Sequence, residues 1–218
     1  MKMSGFFRDS TPHSDRPEFQ VVVTNCHQGM ERAGRFVAEK LYTARSRIML
    51  LQTFQLSPDA PGEEARLYPM LRSIAGRELE DHKSAMVKKY NLPAEKIQTR
   101  VEEGDLTQII TREYEERQDV SVTLGIRQSS GRQEITCLNT IHSLLDSPAR
   151  PFYLIEETIA IFHRSGELTV LGPAGSFSGH YYSFLCELAD QRSYRVETQE
   201  TDYYKNHISW KQIIRSRK

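Results

Sequence analysis

Five short apolar runs recur along this chain, at residues 19–24, 47–54, 97–101, 120–125 and 152–155. Most of them lack polar alternation, which is how a strand covered on both faces reads. Between them lie stretches whose apolar residues return every third or fourth position. Residues 29–45 carry Met30, Ala33, Val37, Ala38, Leu41 and Ala44 at that spacing. Residues 63–90 repeat it with Leu67, Leu71, Ile74, Leu79, Met86 and Val87. Residues 106–117 present Leu106, Ile109, Ile110 and Tyr114, with Asp105 placed to cap the helix. A fourth helix is expected over residues 134–145. Five strands thus alternate with four helices, and right-handed crossovers turn such a chain into a doubly wound parallel sheet with helices on both faces. The run at 97–101 alternates and reads as an edge strand.

The rhythm breaks after residue 156. Residues 158–162 and 167–171 flank His163-Arg164-Ser165-Gly166 and read as a β-hairpin with a four-residue loop. A Gly-rich connector at 172–179 leads to a helix at 180–189 and a further strand at 193–198. The tail after Tyr203 carries five basic residues and no acidic one. The organisation expected is therefore an arm at 1–17, polar and flexible, an α/β domain at 18–156, and an extension at 157–218. The length of 218 residues accommodates that plan.

Charge and cysteine content narrow the function classes. Lys and Arg total 29 against 29 Asp and Glu, so a broadly basic nucleic-acid binder is not expected. Three cysteines without a C-x-x-C pair give neither a disulfide framework nor a thiolate zinc cluster. The seven histidines show no metal-ligand spacing, so no metal is expected. Residues 1–18 lack the apolar core of a secretory signal, and no run reads as a membrane span, so a cytoplasmic protein is expected. Cys26-His27 at a helix start has the ingredients of an activated thiol. A third, orienting group cannot be named, and a structural or exposed thiol is the expectation.

Over residues 18–156 the chain resembles the universal stress protein family. The resemblance lies in Val22-Val23-Thr24-Asn25 at the end of the first strand, where the family places an Asp. It continues in Gly104-Asp105 before the third helix, in Asp119 through Gly125, and in Ser147-Pro148-Ala149-Arg150-Pro151 before the fifth strand. It implies a five-stranded Rossmann-like sheet of order 3-2-1-4-5, with any ligand beyond the first and fourth strands, where strand order reverses. Members that bind ATP carry Gly-x2-Gly-x9-Gly-(Ser/Thr) after the fourth strand. Here Gly125 matches the first glycine, Gln128 replaces the second with Gly131 three residues on, and Asn139-Thr140 keeps only the hydroxyl. The nucleotide-site candidates are therefore Asn25, Gly125, Arg127, Gly131, Asn139 and Thr140, with Arg127 and Arg132 as possible anion partners.

That pattern implies a degenerate site, with no resident cofactor or weak ATP binding at most, and no catalytic residues. Motifs of related adenylyl-transfer enzymes (His-x-Gly-His, or Ser-Gly-Gly-x-Asp-Ser) are absent. The function expected is a non-enzymatic stress-response or signalling protein acting through dimerisation and an unidentified protein partner. A nucleotide-binding form with slow hydrolysis is the alternative, and a Cys26-dependent enzyme the third. Dimerisation is expected at the outer edge of the fifth strand, through a hairpin that buries Ile159, Ile161, Leu168 and Val170 against a second copy.

Overall fold

A computed structural model describes residues 19–23, 27–54, 63–117, 119–126, 140–146, 151–156, 159–173, 177 and 180–200. The strands are β1 (Phe19–Val23), β2 (Arg47–Phe54), β3 (Ile97–Glu103), β4 (Val120–Gly125), β5 (Phe152–Ile155), β6 (Ala160–Arg164), β7 (Glu167–Gly172) and β8 (Arg195–Glu200). The helices are α1 (His27–Phe36), α2 (Glu63–Tyr90), α3 (Leu106–Glu116), α4 (residues 140–145) and α5 (His180–Gln191). All eight strands form one sheet of order β3-β2-β1-β4-β5-β6-β7-β8. The first five are parallel in the order 3-2-1-4-5, the doubly wound arrangement expected from the sequence.

Both faces of the sheet are covered, which is why its central strands are apolar without alternation. On one face Val22, Leu50, Ile48, Ile97, Tyr153 and Ile155 meet Met30, Ala33 and Phe36 of α1 and Leu79 and Met86 of α2. On the other, Val21, Val23, Val122, Leu124 and Leu154 meet Ile109 and Ile110 of α3 and Ile141 and Leu145 of α4. The α1 helix passes into one turn of wider, π-type helix at Val37–Leu41. The stripe of α2 divides. Leu79 and Met86 are buried, but Leu67, Leu71 and Ile74, expected on the same face, are exposed together with Met70. Their common spacing follows a different side of the helix from that of Ala75, Leu79 and Met86, so periodicity alone merged two faces into one.

The β3 edge is confirmed by strand order and runs on to Glu103, past the expected end at 101. Charge explains the extension: Glu102 receives Arg100 and Arg112, while Arg100 and Arg117 engage Glu113 of α3. Glu113 is fully buried, and three arginines around two carboxylates make its burial tolerable.

The region after β5 departs from expectation in its placement. The hairpin pairs with β5 of its own chain, Phe152 opposite His163 and Ile155 opposite Ala160, so β5 is an interior strand. The expected use of the β5 edge by a second copy is thereby corrected: β6 already holds that edge. Ile159, Ile161, Leu168 and Val170 are buried as foreseen, but against Leu185, Leu188 and Ala189 of the same molecule. The hairpin loop has two residues rather than four. Ser165 and Gly166 both take positive φ, 52° and 79°, the geometry that suits the twist of a tight hairpin. β8 then returns parallel to β7, two residues later than the expected 193–198.

Polar contacts tie the extension to α4 and the residue that follows it. Arg192 donates to Asp146 from Nε at 2.8 Å and from Nη2 at 2.7 Å, and the Tyr194 hydroxyl donates to the Leu145 carbonyl. His163 lies fully buried between two rings, stacked on Phe152 at 4.7 Å and on Tyr194 at 5.3 Å.

Candidate functional site

In an open parallel sheet the place for a ligand is the carboxyl end of the strands at the reversal of order, which here lies between β1 and β4. Four helices begin at this end of the strands: α1 after β1, α2 after β2, α3 after β3, and α4 beyond β4. On the α1 side the side chains of β4 are small. Along β4 the residues facing α1 are Ser121, Thr123 and Gly125, and α1 comes down onto the last of them. A Cβ built on Gly125 would stand 1.7 Å from the Gly29 carbonyl oxygen and 2.7 Å from its Cα. Only glycine allows that approach, so Gly125 has a packing duty that does not depend on any phosphate.

The neighbouring backbone is equally engaged. The Ile126 amide donates to the Ile155 carbonyl at 2.8 Å, and the Ile126 carbonyl accepts from Arg32 Nη1 at 3.3 Å. On the opposite side, Asp105 caps α3 by accepting the Gln108 amide at 3.1 Å, as the sequence suggested. Its carboxylate occupies the end of the helix dipole where an anion would otherwise be favoured. Thr140, one of the expected site residues, begins α4 and is buried. Its hydroxyl meets that of Thr107 at 3.4 Å, linking the starts of α3 and α4.

Of the six candidates, Gly125 and Thr140 are thus placed at the expected end of β4 and on opposite sides of it. Asn25, Arg127, Gly131 and Asn139 lie outside the described residues, as do Cys26, Gln128 and Arg132. Arg32, Thr107 and Gly29 were missed. Arg32 stands seven residues beyond Asn25 on the first turns of α1. The signal that would have found it is the pair Gly29 and Gly125, a glycine in a helix start matched by one at a strand end. Among the described residues no group of three His, Cys, Asp or Glu side chains is positioned to hold a metal ion.

The fold and site define a doubly wound α/β protein whose first five strands carry the 3-2-1-4-5 order and whose cleft sits at the β1–β4 reversal. Comparison with known proteins adds the following. No protein-family model matches the chain, and no curated protein sequence does. Among solved structures, it is similar to a universal stress protein family member from Burkholderia pseudomallei, at 17% identity and a TM-score of 0.47. That match covers 64% of this chain and 96% of the other. It is also similar to the hypothetical protein PH0823, at 16% identity and TM-score 0.45, covering 64% and 95%. A third neighbour is the hypothetical protein MJ0577, at 12% identity and TM-score 0.46, covering 65% and 96%. The first of these bears the name of the family that the sequence resembles. The fold assignment itself rests on strand order and pairing.

Proposed function

We propose that the chain is a non-enzymatic stress-response or signalling protein of the universal stress protein type, with a degenerate nucleotide site, acting in the cytoplasm as a homodimer that engages a protein partner. The observation that carries the degenerate-site reading is the commitment of the backbone at Gly125 and Ile126. In a phosphate-cradling loop, glycines leave amide N–H groups open to the ligand. Here the face of Gly125 that lacks a side chain is filled by Gly29, and Ile126 spends its amide on β5 and its carbonyl on Arg32. The departures at Asn25, Gln128 and Asn139 point the same way. No helix among the described residues is long and apolar enough to cross a membrane.

ATP should accordingly bind with a Kd no tighter than about 10 µM, a free energy no better than about −7 kcal/mol. Titration calorimetry on the full chain with ATP and magnesium tests it. Weak heats or none agree with the reading, whereas sub-micromolar affinity would move the protein to the nucleotide-binding alternative, with Gly125, Arg127, Gly131 and Thr140 the residues to vary. Since β6 holds the edge of β5, dimerisation belongs to another surface.

A further inference from the structure

We propose that β8 is the dimer seam: its outer edge pairs antiparallel with β8 of a second copy, about a two-fold axis at Thr198. The proposal rests on reading the chain as a dimer and names the surface that makes it. The eight-stranded sheet has two ends. At β3, side chains on both faces are tied back to helices, Thr99 to Glu80 of α2 and Arg100 to Glu113 of α3. Both ends leave backbone open, but at β8 Thr198 and Glu200 are exposed and, among the described residues, tied back to no helix.

Which backbone groups face outward follows from one hydrogen bond. Arg195 donates its amide to the Gly166 carbonyl at 3.1 Å, so its N–H and C=O both turn toward β7. Direction alternates along a strand, and the β7–β8 pairing continues without interruption to Gly172 opposite Glu200. Glu197 and Gln199 therefore also face β7. Val196, Thr198 and Glu200 present their amides and carbonyls at the open edge, where among the described residues nothing pairs with them.

The same alternation limits the register, and the count of bonds chooses within it, since only a centre at Thr198 engages all three outward residues of β8 in each copy. A symmetric antiparallel pair of edges must centre on a residue. Centred on Glu197, it would set two carboxylates directly opposite each other, which is repulsive. Centred on Thr198, it forms hydrogen-bonded pairs of Thr198 with Thr198, and of Val196 with Glu200 on each side, about six backbone bonds in all. On the other face it sets Glu197 across from Gln199, whose amide can donate to the carboxylate. Two threonines then meet at the axis, a favourable cross-strand pair. An open edge of matching donors and acceptors fits a second copy of itself, since the two-fold supplies the complementary row.

Thr198→Pro is the selective probe. It removes one outward amide and leaves the bonds to β7, which come from Arg195, Glu197 and Gln199. Thr198→Lys serves as the second variant, since it keeps every backbone group but sets two ammonium groups face to face. Sedimentation of the full chain and both variants over a concentration series reads the outcome, with circular dichroism and the unfolding midpoint reporting the fold. The expected result is a wild-type dimer and dimer affinity weakened at least about tenfold, or 1.4 kcal/mol, in both folded variants. If both variants dimerise as tightly as wild type, the seam is wrong and the dimer reading stands. If the full-length wild type is a monomer throughout, both fall.

Discussion

Gly125 illustrates how a residue can match a ligand motif and still be required for something else. Its position at the end of β4 was legible from the apolar run before it, and its resemblance to the first glycine of an ATP loop followed from that. What spacing could not give is the Gly29 backbone lying against it, because Gly29 is 96 positions earlier in the chain. The consequence is a stability prediction. Gly125→Ala should cost about 2–3 kcal/mol, since the methyl group meets backbone rather than a side chain that can turn away. Urea denaturation of the variant measures it. A loss under about 0.5 kcal/mol, the ordinary surface value, would show that α1 does not press on β4 as described.

At the scale of elements, the strands of the doubly wound half were readable because burial on both faces forces apolar runs, as in Val21-Val22-Val23 and Met49-Leu50-Leu51. The helices were readable where one face is buried. α2 was readable in its bounds, Glu63–Tyr90, but not in its buried face, because Leu67, Leu71 and Ile74 repeat with a helical period while pointing away from the sheet. The alternation in β6 and β7 gave the hairpin, but nothing in that pattern says whose strand it pairs with. Own-chain pairing with β5 is favoured by the short link of residues 156–159, which also closes with the Glu156 amide on the Ile159 carbonyl at 2.9 Å.

The anchoring of this extension makes a pH prediction. Burial raises the Tyr194 phenol above its ordinary range, so the folded state holds that proton more firmly than the unfolded chain. The stability it contributes is complete below the unfolded value near 10 and is lost as pH rises through the higher folded value. Tyr90 and Tyr182, also raised chiefly by burial, add to the same alkaline limb. Tyr194→Phe should therefore lower stability at neutral pH by about 1 kcal/mol, through the lost bond to Leu145, and make the decline above pH 10 shallower. Unfolding midpoints between neutral and alkaline pH check both. An unchanged alkaline slope would mean that Tyr194 is not the buried donor described.

For the whole molecule, the order 3-2-1-4-5 followed by 6-7-8 places the extension and the cleft on one continuous sheet, and a single core cluster runs from Val21 through Leu154 to Leu168 and Leu188. The cleft was legible in outline, since strand order alone locates it between β1 and β4. Its engaged backbone was not, because Ile126 to Ile155 and Arg32 to Ile126 are contacts across the fold. Under the proposed function, the purified chain is paired and holds no nucleotide in this cleft. Native mass spectrometry of the purified full chain reads both in one spectrum. The account predicts a species of twice 25.2 kDa with no small-molecule adduct. A monomer, or a chain carrying a stoichiometric nucleotide that denaturation releases, would contradict it.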